Sequence, residues 1–338
     1  MEKQKADGGR VLSQRVGKKA YSQSKGQKGG DTFKCPVPDC KEVFTENSNR
    51  RRHIRIVHKE DPDKYLGRGG WSKIQPEPST GTQKVVLLPD FHHPHHNVPA
   101  LRAVLQFLEY FKPNEVNLIG DAMNMDAVDH WLRDKGNRRA LEGRRITEGY
   151  SWFDQDILTK IEKTAPQARW TYMGGNHEDW INIVVDRDPA LEGLIEPEVV
   201  LKLRERGWEW IPYLVKKGGS VTRGIKTYGK LLVFHGQYTN KYHAAKTADM
   251  FSKSCAYGHT HDIQSYTKVT VDDHRGFHTA QSIGCLCNMS PAFMKGKYNR
   301  WVNAFGVLYV RPDGMYNLYT PIIVKGKFTF DGIEFNGN

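Results

Sequence analysis

Five short segments, far apart in a chain of 338 residues, carry side chains of the types that hold divalent cations. In order they are Asp90-Phe91-His92, Gly120-Asp121, Gly175-Asn176-His177-Glu178, His235-Gly236 and Gly258-His259-Thr260-His261. Carboxylates lower the repulsion between neighbouring dications, and neutral imidazoles leave those ions Lewis acidic. Two such ions about 3.5–4 Å apart depress the pKa of a shared water and clamp phosphoryl oxygens during in-line displacement. Taken singly, each segment has a plainer explanation. Asp-x-His or Gly-Asp after a strand is turn chemistry, His235 is an ordinary strand-end residue, and two His one residue apart suit a surface loop. The weight lies in all five occurring in this order, each behind an apolar stretch.

A second set stands near the start. Phe33-x-Cys35-x4-Cys40-x3-Phe44 is followed by His53-x4-His58, with twelve residues between Cys40 and His53. This spacing resembles a C2H2 zinc finger. Two thiolates and two imidazoles satisfy tetrahedral zinc, and a unit this small needs the metal to fold. Phe44 fills the small core. Arg50 stands three residues before His53, where such fingers usually carry Leu, so the core must lean on Ile54 and Val57. The finger helix turns Glu46, Ser48, Asn49 and Arg52 toward a major groove. Arg50, Arg51, Arg52 and Arg55 suit phosphate contacts, which give affinity without sequence choice. The alternative is a structural or protein-binding finger.

The elements that must position these groups are visible as changes of pattern. The run Lys84 to Leu88 ends at Pro89-Asp90 and reads as a buried strand. Val98, Leu101, Val104, Leu105, Leu108 and Phe111 recur at helical spacing until Pro113. Val116 to Ile119 is a strand ending at Gly120-Asp121. A polar helical region spans 137–164, and Arg169 to Met173 runs into Gly174-Gly175-Asn176. Leu231 to Phe234 ends at His235, and Ser254 to Tyr257 ends at Gly258. Later, 304–310 and 315–324 flank the turn Pro312-Asp313-Gly314. Ligands thus fall at the carboxyl ends of strands, where open α/β sheets bind substrates. Sheet on sheet with outer helices is the expected architecture.

Composition divides the chain further. Residues 1–60 hold 15 Lys and Arg against 7 Asp and Glu, and the remainder 35 against 31, out of a net charge of +12. A basic extension on a nearly balanced body points to a polyanionic partner, nucleic acid first, with a solubilising tail as the alternative. Residues 1–32 read as a disordered basic tail, 33–60 as the finger, 61–83 as a linker in which Trp71 could dock, and 84–338 as the main domain. No apolar run is long enough for a membrane span, and the polar start leads into no signal segment. The five cysteines leave Cys255, Cys285 and Cys287 outside the finger, which favours a reducing, cytoplasmic compartment.

The five-segment set resembles the calcineurin-like metallophosphoesterases, whose pattern is DxH, GD, GNH(D/E), H and GHxH. The match covers residues 84 to about 262 and implies that family's two-sheet β-sandwich flanked by helices. It also implies two divalent ions of the Mn, Fe or Zn class. Asp90, His92 and His261 would hold one, Asn176, His235 and His259 the other, and Asp121 would bridge both. His177 would protonate the leaving oxygen or stabilise its charge, and Glu178 would orient its neighbours rather than bind metal. One position departs from the phosphatase branches, where an Asp three residues after the bridging Asp pairs with the catalytic His. Here it is Asn124, and nuclease branches also tend to lack Asp there; Asp126 and Asp129 are nearby in sequence. His93, His95 and His96 are spare and read as exposed loop imidazoles. Lys241, His243 and Lys246 either line a substrate channel or sit on a solvated helix face, the latter being preferred. The implied activity is phosphodiester hydrolysis of nucleic acid, in an architecture similar to phage-encoded phosphoesterases. A phosphomonoesterase and a catalytically idle DNA-binding assembly protein are the alternatives.

Overall fold

The computed structural model describes residues 32–45, 47–66, 81–129, 142–269 and 276–338. The chain divides into two compact units, one ending at Pro78 and the other running from Ser79 to Asn338. Residues 1–31, which hold nearly all of the expected tail, and Trp71 lie outside the described residues.

In the first unit, strands β1 (Phe33–Lys34) and β2 (Val43–Phe44) pair antiparallel and precede helix α1 (Asn47–Val57). Of the two expected core supports, Ile54 is fully buried, whereas Val57 is 61% exposed and contributes nothing to it. Arg50 takes the place of the missing apolar residue by laying its guanidinium over the Phe33 ring, 5.2 Å from the centroid. The expected linker begins as a helix, α2 (Pro62–Leu66), held by Lys64 and Tyr65 on the Glu60 carboxylate.

The second unit is built on two sheets. Strand β3 (Gln83–Leu88) alternates strictly. Val86 and Leu88 face a helical layer, while Val85 and Leu87 face the second sheet. Beside it lie parallel strands β4 (Glu115–Ile119), β5 (Arg169–Met173) and β6 (Trp208–Ile211). The second sheet places β10 (Leu231–Phe234) and β11 (Ser254–Tyr257) parallel at its centre. Around them are β9 (Lys226–Tyr228), β12 (Ser265–Val269) and β13 (Phe277–Ser282). Strands β14 (Gly306–Val310) and β15 (Tyr316–Tyr319) complete the first sheet on its β3 edge. They are shorter than the flanks expected around Pro312-Asp313-Gly314.

Apolar side chains of both sheets interlock between them, Val85, Leu87, Ile119 and Met173 against Leu231, Val233 and Ala256. Polar links also cross this layer. Asn117 donates to the Tyr228 hydroxyl (3.1 Å), and the buried Glu115 carboxylate meets Lys226 Nζ at 2.8 Å. Outside the first sheet, helix α3 (Val98–Phe111) presents Leu101, Val104, Phe107 and Leu108. Asn97 caps it by accepting from Ala100 N–H (3.1 Å), and the left-handed Lys112 ends it before Pro113. The helical region expected over 137–164 is described from Ile146 as α4 (Ile146–Phe153), a π-helical turn (Asp154–Leu158) and α5 (Thr159–Thr164). Outside the second sheet, helix α8 (His243–Phe251; α6 is Asn176–Arg187 and α7 is Pro197–Val200) packs on Phe234, Cys255 and Tyr257. The result is the expected α/β sandwich of two sheets between helices.

Candidate metal centre

Every donor segment leaves the carboxyl end of a strand in one of the two facing sheets. Asp90 and His92 follow β3, Asp121 follows β4, Asn176 opens α6 after β5, His235 follows β10, and His259 and His261 follow β11. The turns are sharp. Asp90, His92, Asp121, His259 and His261 all adopt positive φ, between 45° and 70°. For a non-glycine residue this costs of order 1–2 kcal/mol each, strain typical of functional sites and sustained here by the packed sheets. Glycines allow the close approach. A Cβ on Gly175 would collide with the Asp121 carboxylate, and one on Gly258 with that of Asp90.

The donors converge in sets that share members. Asp90, His92 and His261 form one group, Asp121, His235 and His259 another, and Asp121 also groups with His92 and His177. His92 Nε2 stands 3.0 Å from His261 Nε2, and His261 Nε2 is 3.2 Å from Asp90 Oδ1. On the other side His235 Nε2 lies 3.2 Å from Asp121 Oδ2 and 3.0 Å from Asn176 Oδ1. Donors held about 2.0–2.2 Å from one ion stand about 2.8–3.6 Å from each other, so these spacings fit cation shells. Hydrogen bonds aim the lone pairs inward. His92 donates Nδ1–H to Asn124 Oδ1 (2.9 Å) and His235 donates Nδ1–H to the Ile119 carbonyl (3.1 Å), leaving each Nε2 free. The 3.0 Å approach of His92 Nε2 to His261 Nε2 suits a cation shared by the two rings. The residues therefore fit the two divalent ions that the resemblance implies.

Electrostatics follow from burial. Desolvation, reinforced by His177, holds His92 well below the ordinary imidazole range, and desolvation brings His259 down to about 4. Burial also opposes the charged ring of His235, but the Asp121 carboxylate outweighs it and lifts that ring to about 9.

The residues around these donors explain their order. Glu178 is buried and its carboxylate accepts from the backbone N–H of Asp121 (3.0 Å), Met123 (2.9 Å) and Gly175 (2.7 Å) and from Tyr172 (2.9 Å). It ties the second motif to the third. His177 donates Nδ1–H to the backbone carbonyl of Asn124 (2.9 Å), which turns its Nε2 toward Asp121 Oδ2, 3.8 Å away. The side chain of residue 124 thus serves His92, and its main chain serves His177. Asp126 accepts from Asn124 Nδ2 at 2.6 Å.

Two expectations are overturned. His93 is buried and bonded to Asp156 (3.2 Å), His95 pairs with Asp126 (3.4 Å), and His96 stacks on His93, so these rings are not exposed loop groups. His243 is buried too, bonded to the Tyr257 hydroxyl (2.8 Å) and to Asp262 (3.1 Å), rather than on a solvated face. Lys246 lies over the Tyr238 ring.

The sequence reading missed the aromatic rim. Phe293 lies 6.0 Å from the His92 ring, Trp301 packs edge-on against His261 at 4.3 Å, and Tyr213 neighbours His235 with Arg223 stacked on it. These residues come from irregular loops and short strands, and no spacing marks them.

In the first unit, Cys35 Sγ is 3.6 Å from His58 Nε2, Cys40 Sγ is 3.3 Å from His53 Nε2, and the two imidazole nitrogens are 3.1 Å apart. Four donors converging at these distances fit one tetrahedral zinc. Arg52 and Arg55 of the finger helix are exposed, Arg51 is half-buried, and Arg50 also reaches the Lys34 carbonyl.

Fold and site together define a two-sheet α/β domain with buried His and Asp clusters that could hold divalent metal. No family model matches the chain. It is 26% identical over 266 residues to the gene 54 protein of Mycobacterium phage D29, covering 74% of this chain and 98% of that one. The gene 54 protein of Mycobacterium phage L5 is 23% identical over 259 residues, with the same shares covered. Among solved structures, a single mutant of Vps29 from Entamoeba histolytica aligns with 75% of this chain and 99% of its own. Its identity is 16% and its TM-score 0.35. The NAD nucleotidase of Haemophilus influenzae aligns with 72% of this chain and 50% of its own, at 8% identity and a TM-score of 0.31. These structural likenesses are too distant to bear on function. No helix among the described residues is long and apolar enough to cross a membrane.

Proposed function

We propose that the chain is a two-metal phosphodiesterase acting on nucleic acid, with its basic tail and zinc finger tethering it to the substrate. The observation that carries this reading is the convergence of Asp90, His92, Asn176, His235, His259 and His261 around the shared Asp121. Divalent ions held there would polarise a phosphoryl oxygen and lower the pKa of water beside it. His177 is the proton carrier of the chain itself. Its Nδ1–H is committed to the Asn124 carbonyl, so Nε2 is the atom that delivers a proton to the leaving oxygen. Glu178 does no chemistry and keeps the Asp121 and Gly175 turns in register.

The charge distribution supports a nucleic-acid substrate, since residues 1–60 contribute a net +8 of the chain's +12. Tethering raises the local substrate concentration without any new contact at the centre. The phage relatives support a role in the cytoplasm of an infected host.

The test is an activity panel in Mn²⁺ with single- and double-stranded DNA, RNA, a chromogenic phosphodiester and a phosphomonoester. The expected outcome is diester turnover, cut by about 10²–10⁴-fold in His177→Ala. Turnover of the monoester alone would replace this reading with a phosphomonoesterase. No turnover by metal-loaded protein that still binds DNA would replace it with an assembly protein.

A further inference from the structure

The segment 288–301 runs from β13 toward β14 and is rooted on the metal centre at both ends. Asn288 N–H donates to the His95 carbonyl (2.8 Å), and Val302 N–H donates to the carbonyl of His261 (2.8 Å). Its two limbs are tied by Asn299, which donates to the Met289 carbonyl (2.8 Å) and accepts from Trp301 N–H (3.1 Å). The segment therefore stands as a defined projection beside the site.

Its chemistry is unlike that of an ordinary surface loop. It contains Lys295, Lys297 and Arg300 and no Asp or Glu. All three cations are exposed, and none is in an ion pair among the described residues. Three aromatic side chains share the segment with them. Trp301 packs on His261, Phe293 lies between His92 and His95 while remaining 37% exposed, and Tyr298 is fully exposed. A fully exposed Tyr298 on a basic loop gains nothing from packing, and Phe293 keeps part of its ring open to solvent beside it. Alternating cations with free aromatic faces is the arrangement that holds single-stranded nucleic acid, phosphates on the cations and bases on the rings.

We infer that this loop is a stacking platform for single-stranded nucleic acid and makes an unpaired strand the preferred substrate of the centre. The inference rests on the phosphodiesterase reading above and adds the substrate class to it. Geometry gives the reason. The Phe293 ring stands 6.0 Å, centroid to centroid, from His92, one of the proposed metal donors, so a phosphate at the centre would have its neighbouring base beside that ring. A base inside a duplex keeps both faces covered by its neighbours and must unstack to meet Phe293. A single strand presents such a face at little cost, and one base–aromatic stack is worth about ten- to a hundred-fold in affinity.

The test uses the full chain in Mn²⁺ with single-stranded oligonucleotides of about ten residues. They carry slowly cleaved phosphorothioate links and 2-aminopurine at successive positions. Phe293→Ala and Tyr298→Ala are compared with wild type. Tyr298 is fully exposed and its replacement cannot unfold the protein, while Trp301 is left intact because it supports His261. The expected result is 2-aminopurine quenching at one or two adjacent positions, lost in Phe293→Ala and shifted or weakened in Tyr298→Ala. The ratio of kcat/KM on the oligonucleotide to that on a small chromogenic diester should fall at least about ten-fold in Phe293→Ala. Unchanged quenching and ratio in both variants, or equal kcat/KM on duplex and single strand, overturns the platform and leaves the phosphodiesterase reading standing. Turnover of monoesters alone overturns both.

Discussion

Asn124 shows how one residue divides its labour. Its amide oxygen receives the Nδ1–H of His92, its amide nitrogen reaches Asp126, and its main-chain carbonyl orients His177. The sequence marks this position only as a departure from a carboxylate and gives no sign that the side chain faces His92. We expect Asn124→Ala, which removes the acceptor of the His92 Nδ1–H, to weaken metal retention by about 10–100-fold. Turnover of a small diester at saturating metal should stay within about ten-fold of wild type, because the main-chain carbonyl that orients His177 is kept. A loss as large as that of His177→Ala would mean that the side chain at 124 acts on His177 directly. The residues that converge at the site were legible because each sits in a short motif, most of which place a glycine beside the donor. Phe293 and Trp301 were not, since an aromatic ring beside a metal donor obeys no spacing rule.

At the level of strands and helices, legibility tracked burial. β3, β4, β10 and β11 are nearly all buried and read as apolar runs, and α3 read through its apolar stripe. By contrast β12 is exposed at all five positions, and the hairpin of β7 (Leu214–Lys217) and β8 (Ser220–Arg223) is mostly exposed, so neither carries a period. The ion pair that links the sheets was equally invisible, because Glu115 and Lys226 are 111 residues apart. Burial opposes ionisation of Glu115, but Lys226, Tyr228 and Thr171 together prevail and hold its carboxyl below the ordinary range. A carboxylate depressed in the folded state stabilises the fold above the unfolded-state value, near pH 4.3–4.5 for Glu, and that contribution is lost as pH falls through the folded value. Thermal denaturation across acidic pH should therefore show Glu115→Gln destabilised at neutral pH by roughly 2–4 kcal/mol, with a shallower acid decline than wild type. An unchanged decline would remove Glu115 from the acid response.

Over the whole molecule, two units with different chemistry share one chain. The first unit brings four possible metal donors together beside the buried Ile54, and the body rests on interlocked sheets. The division into a basic end and a balanced body was legible from charge alone, whereas the short helix α2 was hidden in a segment whose composition reads as linker. A chain lacking residues 1–60 should retain turnover of small diesters and lose affinity for DNA. Its binding should also lose part of the salt dependence, since each released phosphate contact lowers the slope by about one. Equal DNA affinity and slope in both forms would refute the tether. The account as a whole depends on the shared aspartate holding two cations together. Metal content per chain after reconstitution with Mn²⁺ and Zn²⁺, read by mass spectrometry alongside diester turnover, tests that most directly. We predict three ions in wild type, one in the finger and a pair in the body, with the pair and the activity lost together in Asp121→Asn. A fully reconstituted protein that never holds more than the single finger ion would contradict it.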